Sequence, residues 1–182
     1  MKRGNMTKVL QNKDEKVLLS VALVMMMVAV LLLSGCNGGV TGKADPSKAD
    51  IGKKVTAGIW EITLIGIPEI EQVVGGEGFS HQAENGQFVI VPVDVTNIGS
   101  DVSLFPDDLI FLQDSAGKQW SLSSSTPQFA YKQTHPKVDI LMDSPVSPGE
   151  TRHTVLIFDV SVDSSGFILV LPSENIDFDL GY

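Results

Sequence analysis

From Val55 onward the sequence predicts an all-β protein, an antiparallel β-sandwich. Apolar residues alternate with a period of two in several short runs, the pattern of half-buried strands. Turn-forming Gly, Pro, Asn and Asp separate these runs at short intervals. No segment carries a convincing amphipathic helix and nothing repeats internally, which leaves two packed sheets as the way to bury the apolar faces.

The strands follow in order. Ile59 to Ile65 puts Trp60, Ile62 and Leu64 on one face and Glu61 and Thr63 on the other. Gln87 to Thr96 puts Val89, Val91, Val93 and Val95 on a single face, and such a β-branched row suits a pleated, half-buried surface. Asn97-Ile98-Gly99-Ser100 then turns the chain. Leu109 to Leu112 and Gln119 to Leu122 form a hairpin around Asp114-Ser115-Ala116-Gly117, and Pro148-Gly149-Glu150 introduces a strand from Thr151 to Val160. Phe167 to Leu171 and Ile176 to Leu180 supply the last strands.

Two segments lack this regularity. Ile67 to Gly86 is rich in glycine and is expected to be a mobile loop. Ser123 to Pro148 contains Pro127, Pro136, Pro145 and Pro148, and is expected to be a long connection or to include a short edge strand at Val138 to Met142. Pro92, inside the valine strand, cannot donate to a ladder, so an edge position or a bulge is expected there.

The run Gly86 to Gly99, with Leu109 to Phe111, Asp114-Ser115-Ala116-Gly117 and Ser147-Pro148-Gly149-Glu150-Thr151 before Val155 to Val160, resembles an uncharacterised immunoglobulin-like domain family common in bacterial lipoproteins. That family is often labelled telomeric-repeat-binding-factor-like, and its fold is similar to that of a mycobacterial immunoprotective extracellular antigen. The resemblance covers roughly residues 55 to 180. It implies an immunoglobulin-like sandwich and no catalytic residues.

The first 35 residues have a different character. Lys2, Arg3, Lys8, Lys13 and Lys16 precede an uncharged run from Val17 to Gly35 that ends in Leu33-Ser34-Gly35-Cys36. Positive charge on the cytoplasmic flank directs the far end of such a segment outward, and small residues suit a processing site. This order resembles a bacterial lipoprotein signal peptide with its lipobox. The resemblance implies diacylglyceryl transfer to the Cys36 thiol, cleavage before Cys36, and attachment to the extracytoplasmic face of the cell membrane. Two acyl chains make such attachment stable, at about 0.8 kcal/mol per buried methylene. The competing reading is an uncleaved transmembrane anchor, because the run is just long enough to span roughly 30 Å of hydrocarbon.

The chain therefore divides into a signal peptide at 1–35, the lipidated Cys36 with a flexible tether at 36–54, and the sandwich at 55–182. The eighteen residues after Cys36 are mostly small or polar and would span roughly 20 to 25 Å as a coil. From Cys36 onward there are eight basic and twenty acidic residues, a net charge of −12. Such a surface repels phosphate backbones, so no nucleic-acid partner is expected. Cys36 is the single cysteine, which excludes an internal disulfide, a thiol nucleophile and a thiolate metal site in the sandwich.

No constellation of side chains specifies a reaction, and no cofactor or metal is expected. His81, His135 and His153 lack a ligand spacing, and Met142 is the only methionine beyond the signal segment. Asp94, Asp107, Asp108, Asp114 and Asp143 invite a calcium reading, but Asp114-Ser115-Ala116-Gly117 lacks the later acidic ligand of a calcium loop. Ser123 to Ser125 and Ser164-Ser165 lack the Gly-x-Ser-x-Gly context of a hydrolase nucleophile. Trp60 is expected in the core, and Trp120, Phe129 and Tyr131 in core or loop-anchoring positions, with an exposed contact patch as the alternative. The function expected is that of a non-enzymatic membrane lipoprotein whose domain binds an unknown protein partner; the alternative is a small-molecule or metal-ion carrier.

Overall fold

The structure, a computed structural model, describes residues 49–182. Among the described residues eleven strands and one helix follow one another: β1 (Lys54–Ala57), β2 (Trp60–Leu64), β3 (Glu69–Glu71), β4 (Val73–Gly76), β5 (Phe79–Gln82), β6 (Gly86–Asn97), β7 (Phe111–Gln113), β8 (Gln119–Trp120), α1 (Ser125–Thr134), β9 (Thr151–Ser161), β10 (Ile168–Leu171) and β11 (Ile176–Asp179). β6 is the centre of the first sheet, with β9 along one side and, along the other, β2 and β1 beside its C-terminal half and β3 beside its N-terminal half. The second sheet runs β11-β10-β7-β8, and every pairing is antiparallel.

The alternation in β6 and β9 builds the main core. Val89, Val91, Val93 and Val95 meet Leu156, Phe158 and Val160 on the inner face of the first sheet, and Leu112, Leu169, Leu171 and Phe178 close it from the second. The opposite face of β6 and β9 carries a second, smaller core. There Phe88, Ile90, Val155 and Ile157 are covered by Val74 of β4 and by Ala130 and Tyr131 of α1. The described residues thus form a two-sheet sandwich with a helix and a hairpin laid over half of one outer face.

Three expectations are corrected. The presumed loop Ile67 to Gly86 forms β3 and the β4–β5 hairpin, and glycine is needed within β4 itself: Gly75, paired with Ser80, has φ +99°, and a Cβ there would sit 2.4 Å from the Phe79 carbonyl oxygen. The segment Ser123 to Pro148 contains α1, and Val138 to Met142 forms no strand. Ser124 stands at the N-cap and Pro127 falls in the first turn, where its missing N–H costs little. Pro92 lies neither on an edge nor at a bulge, since the β6–β9 register is continuous from Gly86↔Ser161 to Thr96↔Thr151. Its carbonyl accepts from Ile65 N–H at 3.1 Å, so its missing donor faces the seam where β2 has ended and β3 has not begun. A Cβ on Gly66 in that seam would lie 3.3 Å from the proline ring.

Asp50 and Lys53, which fall in the segment expected to be tether, are bonded to the sandwich. Asp50 N–H donates to the Asp179 carbonyl at 2.8 Å, Asp179 N–H donates to the Asp50 carboxylate at 3.0 Å, and Lys53 Nζ donates to the Asp177 carbonyl at 2.6 Å. These bonds occupy the free edge of β11, which would otherwise present unpaired backbone groups. The expected signal segment, Cys36 and the expected tether up to residue 48 lie outside the described residues. Among the described residues no helix is long and apolar enough to cross a membrane.

Acid should loosen this closure. Lys53 and the Asp179 N–H hold the Asp50 carboxyl below its ordinary value. Burial pulls Asp114 upward, but N–H groups of Lys118 and Ala116 and the Ser164 hydroxyl outweigh it and hold that carboxyl down as well. A carboxylate depressed in the folded state contributes stability above its unfolded value of about 3.9, and that contribution disappears as pH falls through the folded value. Thermal melts should therefore be flat down to about pH 5 and fall below about pH 4, with Asp114→Asn showing a shallower acid limb.

Candidate functional site

The strand ends opposite Asp50 carry the site. Ala57 pairs with Trp60, Trp60 with Asn97, and Asn97 N–H donates to the Glu150 carbonyl, so the β1–β2 turn, the loop after β6 and the turn before β9 lie together. Asn97, fully buried, organises them. Its Nδ2 donates to the carbonyls of Asp101 at 2.8 Å and Val146 at 2.9 Å, and its Oδ1 accepts from Gly99 N–H at 2.9 Å. Ser103 and Val146 exchange two backbone bonds, and Phe105 anchors the loop from below, edge-on to Trp60 at 5.3 Å.

On this braced loop end four aliphatic side chains face solvent: Ile59 at 40 %, Ile98 at 50 %, Val102 at 61 % and Leu104 at 58 % exposure. Ile59 and Ile98 are neighbours, since Ile98 N–H donates to the Ile59 carbonyl at 2.8 Å. The charges carried by the loops have one sign. The loops 98–110 and 143–150 hold Asp101, Asp107, Asp108, Asp143 and Glu150 and no lysine or arginine. Arg152 on β9 is taken up by Glu150 at 2.6 Å and by the Pro145 carbonyl. The other four carboxylates make no ion pair among the described residues.

The other residues singled out in the sequence do not converge. His81 stacks on Phe88 at 5.9 Å, His135 stacks on Tyr131 at 3.9 Å, and His153 Nδ1 meets Asp94 on the uncovered outer face of the first sheet at 2.5 Å. Among the described residues no group of three His, Cys, Asp or Glu side chains could hold a metal ion. Asp114 is spent on its own turn, accepting from Ala116 and Lys118 N–H and from the Ser164 hydroxyl. Ser123 N–H bonds the Ile157 carbonyl, and Ser165 accepts from Ser115.

Of the aromatics, Trp60, Trp120 and Tyr131 are buried as expected, whereas Phe129 is 47 % exposed on α1. The Lys118 ammonium lies 3.5 Å from the centre of the Trp120 ring. Tyr131 donates to Glu69 at 3.0 Å, and its burial together with that carboxylate pushes its hydroxyl far above the ordinary tyrosine value, so it stays protonated. Met142 is buried, and its N–H is bonded to Gln128. Cys36, the one modification site expected, lies outside the described residues.

Sequence reasoning passed over Ile59, Ile98, Val102 and Leu104 because single apolar residues in turns produce no periodicity. The signal that could have found them is their company: apolar side chains in loops whose only charges are acidic.

Among solved structures, the chain is similar to a conserved hypothetical protein from Bacillus anthracis, with 15% identity over 73% of this chain and 95% of that one and a TM-score of 0.48. It is also similar to an uncharacterised β-sandwich protein from Clostridium difficile, with 19% identity over 70% and 87% and a TM-score of 0.46. A third is the yjhA protein from Bacillus subtilis, with 17% identity over 70% and 84% and a TM-score of 0.46. No curated protein matches the chain in sequence. Residues 49–179 match the model of a family described as a domain of unknown function, DUF4352, and the chain belongs to that family.

Proposed function

We propose that the chain is an exported lipoprotein, anchored through Cys36 on the extracytoplasmic face of the cell membrane, whose immunoglobulin-like sandwich is a non-enzymatic protein-interaction module. The observation that carries this reading is the exposed aliphatic cluster of Ile59, Ile98, Val102 and Leu104 on a braced loop end, opposite Asp50, where the described chain begins. Single exposed aliphatics need no explanation, but several on adjacent loops are the composition of an interface core. A rigid scaffold presenting loops for recognition is a recurrent use of such sandwiches.

The anchor is tested by Cys36→Ser. The variant should fail to incorporate labelled fatty acid and should accumulate as an unprocessed precursor. If it is still cut to the wild-type size and stays in the detergent phase without added lipid, the lipoprotein reading is wrong. The interaction role is tested by cross-linking on intact cells followed by mass spectrometry. A few strongly enriched partners are expected, and recovery of membrane proteins in simple proportion to their abundance would overturn it.

A further inference from the structure

We propose that the loop end built from residues 58–59, 98–110 and 143–150 is a docking surface for a cationic segment of a partner protein, one that carries Lys or Arg beside apolar anchors. This rests on reading the sandwich as an interaction module and names the chemistry of its partner. The apolar part of the surface supplies the desolvated centre: Val102 and Leu104 are the most exposed pair, and Ile98, on the same loop, is bonded to Ile59. The rim selects by charge. Asp101, Asp107, Asp108 and Asp143 lie on the same loops without an ion-pair partner among the described residues, and those loops contain no lysine or arginine.

Charge complementarity decides between occupants. Two copies meeting through this end would oppose carboxylates to carboxylates, and anionic lipid headgroups would meet the same repulsion. A basic segment gains at every rim position while its apolar side chains cover the aliphatic cluster. The surface is also organised in advance. Asn97 ties the loop to Asp101, Gly99 and Val146, Ser103 is bridged to Val146, and Phe105 is packed on Trp60. Little loop ordering is then left to oppose binding.

Site-directed photo-cross-linking in the full chain on intact cells tests this. A benzophenone side chain replaces Val102 or Leu104, both in exposed loops, and a control replaces Val73 on β4, which is exposed at 47 % outside these loops. The expected result is a discrete adduct from positions 102 and 104 and none from 73. Sequencing of the attached peptide should show basic residues next to apolar ones. The adduct should fall about fivefold in high salt and in the double variant Asp107→Lys, Asp108→Lys. A thermal melt of that variant matching the unmodified chain shows that the loss is not unfolding. An adduct to a neutral or acidic peptide, to lipid or to a second copy of the chain would overturn the proposal, as would equal adducts from all positions or insensitivity to salt and charge reversal. Fatty-acid labelling of Cys36 is read independently in the same cells, and an enriched adduct of the wrong chemistry leaves the module reading standing, so the three ideas fail separately.

Discussion

Replacing Gln128 with leucine is expected to destabilise the domain by about 3–4 kcal/mol, and hence to lower its melting temperature by roughly 10–20 °C. Gln128 is 1 % exposed and lies on α1 against the free edge of β9. Its Nε2 donates to the Val155 carbonyl at 2.6 Å, while its Oε1 accepts from the N–H groups of Leu141 at 3.2 Å and Met142 at 3.0 Å. One side chain therefore satisfies three buried backbone groups on two segments. Leucine matches its volume but leaves all three without partners, and each orphaned group costs about 1–3 kcal/mol before relaxation. Denaturant unfolding checks this: the midpoint should fall while the slope stays constant.

Gln128→Glu separates hydrogen bonding from packing. An ionised carboxylate can still accept from Leu141 and Met142, but it turns an oxygen toward the Val155 carbonyl. Its protonated form can donate there, so the folded state raises the carboxyl's pKa. A raised carboxyl contributes most below the unfolded value of about 4.3 and loses that contribution as pH rises. The variant should therefore recover toward the parent on acidification. Equal loss at all pH values would show that this bond is not what secures the edge.

The same edge explains what could and could not be read from the sequence. β6 and β9 were legible because Val89 to Val95 and Leu156 to Val160 repeat every second residue and face one core. α1 was not, because its buried residues are Pro127, Gln128, Ala130 and Tyr131, a stripe that is half polar or small and carries weak periodic contrast. Its placement comes from a pairing with Val155, twenty-seven residues away, which no local pattern reports. The β9 edge carbonyls of His153, Val155 and Ile157 are met in turn by Asp139 N–H, Gln128 and Ser123 N–H, so an irregular segment does the work of a neighbouring strand. β4 and β5 were hidden by the glycines at 75, 76 and 78, which lower strand propensity while permitting the turn. At the loop end, Asn97 was legible as a turn residue, but its bonds to the Asp101 and Val146 carbonyls were not.

Those bonds make Asn97→Asp the second large effect, expected at about 3 kcal/mol despite nearly identical shape. The partners fix which way the amide points: two carbonyls require donors and Gly99 N–H requires an acceptor, so nitrogen faces Asp101 and Val146 and oxygen faces Gly99. Aspartate keeps the second arrangement and inverts the first, placing negative oxygen against two carbonyl oxygens at a fully buried position. Asn97→Ala removes all three bonds without adding charge and should cost about 2–3 kcal/mol. If aspartate proved as stable as asparagine at neutral pH, the donors would not be needed and the amide assignment would be wrong. The consequence should also reach the surface. Loop 98–104 is held to Val146 partly through this side chain, so Asn97→Ala should accelerate amide hydrogen exchange at Gly99, Ser103 and Val146 while leaving the β6–β9 ladder near Val91 and Leu156 protected. A loop loosened in this way must be ordered again on binding, which costs about 0.5–1.5 kcal/mol for each immobilised side chain. Adduct yield at Leu104 should then fall even though no exposed atom has changed.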